Sequence, residues 1–262
     1  MNNKYTSYLP VLVLGCGGIG GALWALMQRF CQDDKELLIP WNLPGILLFL
    51  LTAAVVMATL LLIRPLGGSN RYGDNFVPSP VGCIAAFAAA GGILVLILRN
   101  LHTYRDPLSG IWLVTGALSV PAMILTGLNR RKGKRPNFLL HSIICVFFGI
   151  HMANQYRVWS GSPEILDFSY QLFACVGLAM TAYYHAAFEV GMGRRMRMLP
   201  VGLLTTYFCL VCIGSEGFGL FYLTCGLWAA ANLCGITPKP RRPKPSAEPS
   251  AEDIPPAPEA QA

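Results

Sequence analysis

Eight apolar stretches can be drawn along this chain, the seventh of them short, and the Lys and Arg between them alternate in density. The N-terminus, the second, fourth and sixth connections with the span ends beside them, and the C-terminal tail hold 15 of the 20 basic residues. Basic residues flanking membrane spans stay on the cytoplasmic side. The alternation therefore predicts a multi-pass protein of the cell membrane with both termini cytoplasmic. The strongest orientation signal is the fourth connection, with Arg130, Arg131, Lys132, Lys134 and Arg135.

Composition agrees with lipid as the main solvent. Apolar residues make up 54% of the 262 residues and charged residues 13%, against about 25% charged in soluble domains. The expected fold class is all-α, a bundle of eight transmembrane helices over residues 1–237. The spans run over about 8–28, 43–66, 81–98, 110–128, 138–155, 164–190, 199–213 and 218–236. Merging the last two, or removing the first, gives seven. The tail 238–262 carries eight prolines, cannot bury apolar surface, and is expected to be disordered. Trp24, Trp41, Trp112 and Trp159 fall near the outer ends of spans, the level that Trp prefers.

The net charge of +7 sits in short loops without a nucleic-acid module, so no nucleic-acid partner is expected. Membrane lipid is, including anionic inner-leaflet lipid at Arg130, Arg131, Lys132, Lys134 and Arg135. Of the nine cysteines, eight fall inside spans and only Cys31 in an outer connection, which is not a disulfide framework.

The two halves share short matches in the same order. Gln28-Arg29-Phe30 is matched by Gln155-Tyr156-Arg157, Glu36-Leu37-Leu38 by Glu164-Ile165-Leu166, and Pro80-Val81-Gly82 by Pro200-Val201-Gly202. They raise a 4+4 duplication, which with an even span count would give parallel repeats.

Gly15-Cys16-Gly17-Gly18-Ile19-Gly20 satisfies G-x-G-x-x-G, and Asp33 follows. A dinucleotide site needs strands and helices in alternation, and here one continuous helix leads to Asp33. No cofactor is expected. Gly17 and Gly21 instead form G-x-x-x-G, with Gly15, Gly18 and Gly20 widening the small face. Such a face allows close helix packing in lipid, either within the bundle or in a homo- or hetero-oligomer through span 1.

Polar groups within the spans concentrate in spans 5 and 6. On span 6, Gln171, Cys175, Leu178, Ala182, His185 and Glu189 recur at helical spacing and share one face. That face should meet protein. Antiparallel spans set depth: His141 should lie level with His185 and Glu189, and His151 and Asn154 level with Gln171. These six polar residues are the candidate substrate-binding set. Two imidazoles and a carboxylate are also a possible zinc ligand set, but His141, His185 and Glu189 lack a ligand-spacing motif, so no metal is assigned. Cys209-x-x-Cys212 with Cys225 reads as small-residue packing.

Three functions follow in order. The first is small-molecule or lipid transport through a polar site between spans 5 and 6. The second is a membrane scaffold or accessory subunit without its own chemistry. The third is an intramembrane metal-dependent enzyme at His141, His185 and Glu189; no other catalytic residue is assigned. A midplane cavity lined by Gln171, His185 and His141 would favour the first, and a solid interior the second.

Overall fold

A computed structural model describes residues 4–31, 42–63, 72–101, 107–161, 168–215 and 217–236. Among the described residues the chain is all-helical: α1 Lys4–Phe30, α2 Leu43–Ile63, α3 Tyr72–Asn75, α4 Pro80–Asn100, α5 Pro107–Arg131, α6 Phe138–Trp159, α7 Ser169–Glu189, α8 Arg195–Val211 and α9 Gly219–Cys234. A 3-10 turn, Cys212–Gly214, follows α8. The connection 32–41, with Trp41, Glu164, and the Pro-rich tail lie outside the described residues.

Local chemistry sets the helix ends. Ser79 caps α4, its Oγ accepting from the Gly82 N–H at 3.1 Å, and Pro80 follows where its missing N–H costs nothing. Asn137 caps α6 by accepting from the Leu139 N–H at 3.1 Å. Two helices stop in the same way. After α5, Lys134 N–H donates to Asn129 O at 3.0 Å and Gly133 N–H to Arg130 O at 3.3 Å. After α7, Met192 N–H donates to Ala187 O at 2.9 Å and Gly191 N–H to Phe188 O at 3.1 Å. Both are Schellman closures, and each turns on a glycine with positive φ, 63° at Gly133 and 81° at Gly191. They fix Arg130 and Glu189 in the last turns of their helices.

Six of the long helices are long and apolar enough to cross a membrane: α1, α2, α4, α5, α6, and α8 with its 3-10 extension. Eight spans were expected. α9 is apolar but has only 16 residues. Gln171, Thr181, His185 and Glu189 lower the hydropathy of α7.

Packing divides the helices into a ring and an annex. Each of α4 to α8 packs against the next helix, and α9 returns to α4, closing a six-helix ring. Ile93, Met123, Ile144, Phe147, Phe148, Leu178, Tyr222 and Trp228 fill its centre. α1 and α2 pack on each other and on α8, outside the ring. The halves therefore have different neighbours: α7 packs along α8, whereas their counterparts α2 and α4 have separate main partners. α8 and α9 are distinct helices, so the merged seven-span arrangement is not seen.

The glycine face of α1 is used within the chain. A Cβ on Gly17 would lie 2.7 Å from the Leu210 side chain, one on Gly20 2.8 Å from Val211, and one on Gly21 2.6 Å from the Leu210 carbonyl oxygen. Gly15 and Gly18 have open space beside them and belong to a different face. Trp24, Trp112 and Trp159 are buried in protein rather than displayed at a lipid interface. Trp24 packs on Tyr170 at 5.4 Å and Trp159 on Phe168 at 5.4 Å.

Candidate functional site

The α7 stripe predicted from its spacing is buried along its whole length, while Phe173 and Val176 off the stripe are exposed. Its C-terminal end carries a cluster of buried polar residues. α6 begins where α7 ends, so His141 in the first turns of α6 meets Glu189 in the last turn of α7. His141 Nδ1 lies 2.6 Å from Glu189 Oε1. His185, one turn before Glu189, stacks on His141 with ring centroids 5.1 Å apart and planes 19° from parallel. Glu189 stands at the negative end of its helix, where the backbone disfavours a carboxylate. The nearby positive end of α6 offsets that.

Arg130 completes the cluster. The sequence placed it with the loop cations, exposed to lipid headgroups, but only 6% of its surface is accessible. The closure at Gly133 comes one turn later than a loop reading allows, so Arg130 is still helical and points into the bundle end. Its Nη2 donates to the Asn232 carbonyl on α9 at 3.1 Å, and its guanidinium lies 4.4 Å above the Phe76 ring. Arg131, Lys132, Lys134 and Arg135 remain exposed.

Phe76 arrives on a segment that the sequence read as a simple turn-rich loop. Residues 72–79 fold under the basic end as a strap. Val77 N–H donates to Gly235 O at 3.0 Å, Ser79 N–H to Arg130 O at 3.4 Å, and Phe76 makes an antiparallel bridge with Ile236. Phe76 inserts against His185 at 5.4 Å and Phe188 at 5.3 Å. Tyr72 lines the same space as Arg130; burial pushes its phenol above the usual range, with Arg130 pulling part of the way back. Tyr72 therefore stays neutral at physiological pH.

Under the strap is a small cavity lined by Tyr72, Arg130, His141, His185, Trp228 and Asn232. It measures about 10 Å³ at the water centre, the scale of one water. Several buried polar atoms near it have no hydrogen-bond partner: Arg130 Nε, His185 Nε2, Asn232 Nδ2 and Glu189 Oε2. Buried polar groups normally find partners, so these unpaired atoms set this end apart from the packed ring centre. Among the described residues, no three His, Cys, Asp or Glu side chains are placed to share a metal ion.

The expected outer group divides. His151 Nδ1 accepts from the Trp112 indole at 3.0 Å, so its proton sits on Nε2, among Phe147, Phe218 and Phe221. Gln171 donates instead to Ser215 Oγ at 2.9 Å. Asn154 is half-buried. Sequence reasoning missed Arg130, Tyr72, Phe76 and Asn232. The only available signals were an Asn inside an apolar helix and the Tyr72/Phe76 pair four residues apart.

The described cysteines are all free. Cys175, Cys209, Cys212 and Cys225 are core residues, and Cys175 Sγ lies 3.6 Å from Tyr222 OH. Comparison with family models, curated proteins and solved structures finds no match to this chain.

Proposed function

We propose that the chain is an eight-span protein of the cell membrane, both termini cytoplasmic, that takes a small polar or lipid ligand at its basic end in the course of transport. One observation carries the reading: Arg130, His141 and His185 are buried together around a cavity with unpaired donors, and Glu189 is buried beside them. Ionisable groups inside a membrane bundle are costly and usually mark function. A bundle end that only had to pack would be more stable with apolar side chains there. α7 and α9 complete the span count, α7 with its polar stripe shielded by its ring neighbours.

Proteoliposomes with a fluorescent phospholipid and a membrane-impermeant quencher test the transport step. The wild-type chain should speed loss of inner-leaflet fluorescence, and His185→Ala should slow it. An unchanged rate with wild type removes lipid transport.

The filled ring centre favours a second reading, an accessory subunit without transport of its own. It predicts an unchanged fluorescence rate and co-purification of one stoichiometric partner.

A further inference from the structure

We infer that the cavity beneath the Phe76 strap is an oxyanion site, and that its ligand is a phosphate group. This deepens the ligand-site reading and rests on it. Three side chains lining the cavity, Arg130, His185 and Asn232, are each more than nine-tenths buried and each keep a nitrogen without a partner. Arg130 Nε and Asn232 Nδ2 are donors, and His185 Nε2 donates in the matching tautomer. Glu189, the nearby acid, does not line the cavity and is engaged by His141. The lining is therefore donor-rich, and its permanent charge is the Arg130 guanidinium. Guanidinium geometry suits the oxygens of phosphate.

Size and depth narrow the ligand. A cavity of about 10 Å³ at the water centre admits one oxygen, not a whole metabolite. One phosphoryl oxygen would enter and the remaining oxygens would stay at the rim. Pro136, which lines the cavity, is followed back along the chain by the exposed Arg135 and Lys134. α5 has 25 residues, about 37 Å of helix, longer than the ~30 Å hydrocarbon core. Its last turn, with Arg130, therefore reaches the headgroup layer where lipid phosphates lie. A free phosphate from the aqueous side would meet the same donors.

The test is binding to the full chain in detergent, in chloride-free buffer at fixed ionic strength. The probes are inorganic phosphate and dioctanoyl phosphatidic acid, with dioctanoylglycerol as the phosphate-free control. The readout is the shift in melting temperature with concentration. Asn232→Asp preserves shape and leaves in place the carbonyl that Arg130 holds, but turns the free donor into an anionic acceptor. It should weaken binding by about tenfold or more. Lys134→Gln, an exposed loop change, should alter it by less than about twofold.

Binding of both phosphate probes, or of the lipid alone, with loss in Asn232→Asp, supports the site. The first result admits free phosphate and the second names the lipid headgroup. No shift with either probe overturns it. So does an Asn232→Asp chain that binds like wild type, or loss in Lys134→Gln only. Binding by wild type without accelerated fluorescence loss would keep the oxyanion site and remove the lipid-transport reading.

Discussion

Glu189 and His141 are the residues on which the basic end turns. Each is a poor choice for its position taken alone: a carboxylate at a helix C-terminus and an imidazole in a buried first turn. Together they form a 2.6 Å contact out of water. Removing one partner of such a contact leaves the other buried polar group without its partner and costs about 1–3 kcal/mol. Glu189→Ala should therefore lower the melting temperature of the detergent-solubilised protein strongly. Replacing both His141 and Glu189 by Leu should recover most of the loss; losses that simply add would show that the two do not act as a pair. Depth alone brings these residues and His185 together, because antiparallel neighbours of known ends fix height. Depth could not fix direction. His151 and Gln171, expected at one level, turn to different partners, one to Trp112 and the other to Ser215. Arg130 was illegible for another reason. In a run of basic residues, the one that belongs to the helix is decided by where the chain closes, and that closure depends on Gly133.

At the scale of elements, α1 shows how far a small-residue pattern can be read. G-x-x-x-G predicted close packing, and Gly17 and Gly21 provide it against α8. The pattern could not say whether the partner was the same chain or another. Nor could it separate Gly20, which faces Val211, from Gly15 and Gly18, which face open space. The distinction is measurable. A Cβ at Gly21 meets a backbone oxygen that cannot rotate away, so Gly21→Ala should cost about 1–3 kcal/mol. Gly18→Ala meets nothing and should be neutral or gain up to about 1 kcal/mol from helix propensity. Thermal melts of the two variants decide it; equal effects would mean that α1 does not seat on α8 by this face. The strap 72–79 is the opposite case. Gly, Ser, Asn and Pro in its sequence signal turns, and the docking of Phe76 comes from a recess that only α5, α7 and α9 together create.

For the whole molecule, apolar length and all-helical class were legible because lipid leaves backbone groups no other partner. The ring with its annex was not, since neighbours around a bundle follow from side-chain fit that periodicity does not encode. The structure does gather the basic connections after α5 and α7 at one end, as the His141–Glu189 contact requires. Orientation can be tested with an impermeant thiol reagent on intact cells, in a background with Cys31→Ser and the exposed Cys234→Ser. Ser160→Cys, exposed at the far end of α6, should label, and Lys132→Cys should label only after permeabilisation. The reverse result would invert the protein in the membrane.

The seating of α1 and α2 on α8 also sets an order of events during synthesis. The first two helices leave the ribosome long before their docking surface exists, since roughly 130 residues separate the end of α2 from the start of α8. At about 5–20 residues per second, they wait on the order of ten seconds or more. Throughout that interval the glycine groove of α1 is covered only by acyl chains or by a transient chaperone. The nascent protein is thus most open to mispairing just before its last two helices are made.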